Sequence, residues 1–91
     1  MTLHVFLSDA AEKAVADLDR PERAAVETVR RQLETEPLPP RARSIPDTDP
    51  HTRTYAIDLL PHETGGRGIT LVLRITDGLP AYLISWVIAG P

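Results

Sequence analysis

Nine arginines, Lys13 and three histidines are the groups with which this 91-residue chain could hold an anion or move a proton, and no cysteine stands beside them. Without cysteine there is no thiolate nucleophile, disulfide framework or zinc knuckle, and a reducing cytosol is the natural setting. His51 and His62 have the residue type of a general acid or base. Each sits beside a proline in a polar stretch, the ordinary place for an exposed histidine. With His4 they are dispersed and lack metal-ligand spacing, so no metal or cofactor is expected. Arg53, Arg67 and Arg74 are the candidates for holding phosphate, and Arg41 and Arg43 could add charge at a groove edge. Asp47, Asp49, Asp58 and Glu63 are interspersed with them, which favours a mixed, solvated surface. The net charge of −3 also argues against a protein that lives on phosphate backbones.

Other chemistry is thinly represented. Gly65-Gly66-Arg67-Gly68 lacks the strand-to-helix context of a phosphate loop and reads as a flexible hairpin. Ser85 has neither a nearby histidine nor nucleophile-elbow glycines. Tyr55, Tyr82 and Trp86 could stack on bases, but Tyr55 and Trp86 are expected to be packed in the core.

The elements that must position these groups follow from periodicity. Residues 2–7 alternate, with Leu3, Val5 and Leu7 on one side, and read as a strand. Asp9 and Glu12 have capping-box spacing, with Ser8 as the alternative cap, and Ala11, Ala14, Val15 and Leu18 fall on one helical stripe. Asp19 and Glu22 repeat the box around Pro21, and Ala25, Val26, Val29 and Leu33 make the stripe of a second helix ending before Pro37. Residues 37–50 hold five prolines and read as a stiff, extended connector. Alternating strands follow over residues 53–60 and 69–76, the second leading into Asp77-Gly78 and a turn longer than two residues. Residues 81–88 are apolar on both faces except at Ser85, as in a central strand covered on both sides. No apolar run approaches membrane-spanning length, and the first residues do not read as a signal peptide.

The expectation is one soluble α+β domain over residues 1–91. It has an N-terminal strand, a helical hairpin and three antiparallel strands, with both helices on one face of the sheet. The other face would be open to solvent and carry Ala56, Asp58, Thr70, Val72 and Arg74. Arg74 is expected to pair with Asp58 across the strands, a contact to phosphate or to a partner protein being the alternative.

The strand leading to Ser8-Asp9, the helical hairpin, Ile45-Pro46-Asp47, the run Tyr55-Ala56-Ile57-Asp58-Leu59, the strand ending in Asp77-Gly78 and the Ile84-Ser85 strand together resemble the RelE/ParE superfamily of bacterial toxins. The resemblance covers nearly the whole chain. It implies a toxin–antitoxin pair in which a small antitoxin wraps the toxin. Members include ribosome-dependent mRNA endoribonucleases and gyrase inhibitors. The nuclease members keep basic residues on the open sheet face, where a 2′-hydroxyl attacks the adjacent phosphate with the help of an acid, a base and positive charge.

This chain departs from that pattern. Ala56 and Asp58 stand where alternate basic residues are usual, Thr70 where an arginine is, and Val87, Ile88 and Ala89 where basic residues follow a glycine. An aspartate there would repel phosphate. The expected function is therefore toxin-type protein binding, leaning away from an enzyme. One alternative is an endoribonuclease with relocated residues drawn from Arg53, Arg67, Arg74, His51 and His62. The other is a non-toxic homodimeric regulator or scaffold. A cognate antitoxin is the expected partner; ribosome, RNA or gyrase find no support in the charge, and no membrane partner is expected.

Overall fold

The computed structural model describes residues 4–36 and 38–90. Thr2, Leu3, Pro37 and Pro91 lie outside the described residues. The element order is β1 (His4–Leu7), α1 (Asp9–Ala16), α2 (Arg20–Thr35), β2 (Arg43–Ile45), β3 (Thr52–Leu59), α3 (Pro61–Thr64), β4 (Ile69–Thr76) and β5 (Ala81–Ala89). The strands form one sheet in the order β1-β5-β4-β3-β2. All pairings are antiparallel except β1 with β5, which is parallel because the helical hairpin carries the chain across between them.

The helices start on polar caps. Ser8, not Asp9, caps α1: its Oγ accepts the Ala11 N–H at 3.1 Å, and Asp9 occupies the first turn, where its charge meets the helix dipole. Asp19 caps α2, and its N–H donates to Glu22 Oε1 at 2.9 Å. Glu36 is extended, as a residue before proline must be, and ends the helix. Both helices lay their apolar stripes on one sheet face. Val26, Val29 and Leu33 pack there with Ile57, Leu59, Leu71, Leu73 and Ile84, and all are buried. Each fully buried Leu or Ile contributes about 1.5–3 kcal/mol. Among the described residues no helix is long and apolar enough to cross a membrane.

Three features differ from expectation. The proline-rich connector contains a strand, β2, whose Arg43 and Ile45 lie opposite Ala56 and Thr54. The polar loop after β3 contains a single helical turn, α3, ended by Gly65 in the left-handed region at φ 73°. The third is a register shift between β4 and β5: Leu73 lies opposite Ile84, but Val72 lies opposite Trp86. One extra β5 residue is accommodated there, and it reverses which side chains face the helices. Tyr82, Ile84 and Val87 point into the core, while Leu83, Trp86 and Ile88 point the other way. So β5 is central in the sheet but covered on one face only, and Trp86 is 56% exposed instead of core. Tyr55 does pack against the core.

Candidate functional site

The face away from the helices is where the fold gathers side chains free to meet another molecule. Register places Arg43 from β2, then Thr54, Ala56 and Asp58 from β3, then Thr70, Val72 and Arg74 from β4 on that face. Leu83, Trp86 and Ile88 from β5 and Phe6 from β1 complete it.

The β2–β4 half is a polar lattice. Arg43 donates from Nε to Asp58 Oδ2 at 3.0 Å and from Nη2 to Oδ1 at 3.3 Å, and the Thr70 hydroxyl donates to Oδ1 at 2.7 Å. The Arg43 guanidinium, then the Thr70 hydroxyl, hold the Asp58 carboxyl below its ordinary range. Asp58 therefore does not face the solvent as an isolated negative charge. Arg43, expected in a loop, is a cation of this face, and its short strand could not be read in a proline-rich stretch. Ala56 is on the face but fully buried, because the smallest side chain sits between Arg43 and Val72 on the flanking strands.

Arg74 does not pair with Asp58. Asp58 is opposite Thr70, and Arg74 lies four residues further along β4, about 13 Å away at strand spacing. Its guanidinium instead approaches Asp47 Oδ2 at 3.6 Å. Asp47 is already a hydrogen-bond acceptor for the Thr54 hydroxyl and for the Asp49 N–H. The Thr54 hydroxyl, first, and the Asp49 N–H depress its carboxyl, with Arg74 adding to the effect.

The β1–β5 half is apolar. Phe6 is 56% exposed, Leu83 36%, Trp86 56% and Ile88 54%, and together they form a stripe down the face. Periodicity could not show this, because β5 is apolar at both alternations and only the register shift decides which set is buried.

The five acid–base and phosphate candidates do not converge. Arg74 is on the open face, with His51 at the same end of the sheet, 4.0 Å from Asp77. Arg53 belongs to the opposite alternation, that of Tyr55 and Ile57, and is exposed. Arg67 and His62 lie at the other end of β4, beyond about 17 Å of strand. Arg67 donates from Nε and Nη2 to the buried Glu22 carboxylate at 3.0 and 3.1 Å, which ties the β3–β4 connection to α2. Arg41 is likewise held by Glu63 at 2.6 Å. Among the described residues no three His, Asp or Glu side chains group as metal ligands do.

A cavity of about 560 Å³ opens at the Arg74 end of the face. A shallower one of about 300 Å³ lies at the other end, between Asp58, Thr70 and Ile88.

The architecture matches a chain of the crystal structure of the archaeal RelE–RelB complex from Pyrococcus horikoshii OT3, with a TM-score of 0.72 over 98% of this chain and 96% of that one, at 17% identity. No family model and no curated protein matches the chain. The fold is thus RelE-like, an α+β fold with a mixed five-stranded sheet.

Proposed function

We propose that this RelE-like chain is the toxin-type member of a toxin–antitoxin pair, working in the cytoplasm by binding protein through its open sheet face instead of cutting RNA there. One observation carries the reading. Phe6, Leu83, Trp86 and Ile88 are exposed side by side on the face where a nuclease of this fold would need cations. Contiguous apolar patches on a small protein mark surfaces that another chain covers. The cations of that face stand beside carboxylates, Arg43 on Asp58 and Arg74 near Asp47, which leaves little net charge to attract a phosphate backbone. The structural neighbour is itself part of a two-protein complex, RelE with RelB, and an antitoxin is the partner this reading assigns here.

The test is co-expression with the product of the adjacent reading frame, together with a growth assay on induction of the chain alone. A stable complex that Trp86→Asp and Ile88→Asp each disrupt, with the fold retained, is the expected result. Growth arrest that the partner relieves would place the chain as a toxin. Robust ribosome-dependent mRNA cleavage, abolished by Arg74→Ala, would overturn the reading in favour of an endoribonuclease.

A further inference from the structure

The cavity at the Arg74 end of the face is built unevenly. One side is apolar: the Phe6 ring, stacked on His4 with centroids 5.9 Å apart, Leu83 on the floor, and Leu79 and Pro80 from the β4–β5 turn. The opposite side is polar: Asp49, Thr52, Arg74 and Thr76. Its volume of about 560 Å³ falls in the small-molecule range of roughly 300–1,000 Å³.

The hydrogen-bond inventory of the polar side decides what fits. Asp49 already accepts the His51 N–H on Oδ1 and the Thr52 hydroxyl on Oδ2, both at 2.9 Å. Asp47, just behind, accepts the Asp49 N–H and the Thr54 hydroxyl. Each of these carboxylate oxygens thus already accepts one hydrogen bond. Arg74 is the contrast. Its side chain is 42% exposed, and its nearest carboxylate oxygen is 3.6 Å away, beyond hydrogen-bond length. Among the described residues its guanidinium makes no hydrogen bond. A planar fork of N–H donors therefore faces a cavity whose aspartate and Thr52 are already engaged with each other, so an occupant that meets the fork brings acceptors. The group whose two oxygens match a guanidinium fork is a carboxylate.

The two aspartates limit the charge. They repel any anion that spreads over the polar wall, so a polyanion is disfavoured. A single carboxylate set directly on Arg74 gains two charge-assisted hydrogen bonds. We propose that this cavity binds a small amphiphilic monocarboxylate, its aromatic or branched apolar body lying between Phe6, Leu79 and Leu83 and its carboxylate on Arg74. The cavity shares Phe6 and Leu83 with the apolar stripe but includes neither Trp86 nor Ile88.

The test uses the full chain, isotopically labelled, titrated with 1-naphthylacetate and with its neutral isostere 1-naphthylacetamide. Saturable amide shifts at Thr76, Leu79, Ala81 and Leu83 are expected for the acid, with affinity at least roughly ten-fold above that of the amide, the factor that charge-assisted hydrogen bonds supply. Arg74→Gln should erase the difference between the two probes. Leu79→Glu, on an exposed turn, should abolish binding of the acid with the fold retained. Arg31→Gln on the distant surface of α2 should change neither. Equal affinity for both probes, shifts centred on Trp86 and Ile88, unaltered binding by Arg74→Gln, or no saturable binding would each overturn the proposal.

Discussion

The Ser8 hydroxyl holds two parts of the fold at once: Oγ accepts the Ala11 N–H at 3.1 Å and donates to the Ser85 carbonyl at 2.7 Å. Ser85 lies where the β4–β5 register shifts, and its own hydroxyl donates to the Val72 carbonyl at 3.3 Å. The start of α1 is thus fastened to the irregularity that turns Trp86 outward. Ser8→Ala should cost about 1–2 kcal/mol by urea denaturation. Ser8→Asp separates the two roles. It keeps a strong capping acceptor but cannot donate to a carbonyl, so it should remain less stable than the parent. Parental stability in Ser8→Asp would mean that the Ser85 contact contributes nothing.

Neighbouring β5 residues should respond oppositely to truncation. Ile84→Ala removes a fully buried side chain and should cost about 2–5 kcal/mol. Trp86→Ala removes one more than half exposed and should change stability by no more than about 0.5 kcal/mol. Trp86 is the one tryptophan, so its emission should be that of a solvated indole and be readily quenched by acrylamide. A blue-shifted, protected tryptophan would contradict the register described.

Acid sensitivity should centre on Glu22. The Arg67 guanidinium, first, and the Asp19 N–H hold its carboxyl at about 2 in the folded chain. An unfolded glutamate titrates near roughly 4.3. Because the folded value is the lower one, the stabilisation is fully present above the unfolded value and is lost as pH falls through about 2. Urea midpoints should therefore drop between about pH 5 and pH 2. Glu22→Gln should lower the midpoint at pH 7 and flatten that acid limb. An acid limb as steep as the parent's in Glu22→Gln would show that other carboxylates govern it.

The β4–β5 turn should tolerate bulk but not a β-carbon's backbone preference. Gly78 has φ 83°, and a β-carbon there would meet nothing within 4 Å. The cost of Gly78→Ala is then purely conformational, about 1 kcal/mol in thermal or urea unfolding. A neutral or stabilising effect would mean that the turn adopts another conformation.

Much of this architecture is legible in residue patterns, and the exceptions have definite causes. Two helical stripes, three alternating strands and one run apolar on both faces are clear signals, so β1, α1, α2, β3, β4 and β5 follow from the sequence. Strand β2 spans three residues before Pro46, and α3 is one turn of polar residues after Pro61. Neither is long enough to show a period. The site was harder. Whether Arg74 meets Asp58 or Asp47 depends on register and on where the 46–51 turn folds back, which pairwise spacing does not contain. The apolar stripe was hidden for a different reason: with large apolar residues at both alternations of β5, one accommodated residue decides which set is buried.

The parallel pairing of β1 with β5 also sets an order of events during synthesis. His4 and Ala81 are register partners, so β1 has no neighbour until residue 81 and those after it have been made. Until β5 emerges, β1 and the inner edge of β4 have nothing to pair with, and loop-closure cost opposes any earlier assembly. A product interrupted before Ala81 lacks the strand that joins the sheet and also lacks Leu83, Trp86 and Ile88. Completion of the fold and display of the apolar surface therefore coincide, so that incomplete chains cannot present the surface on which the proposed activity depends.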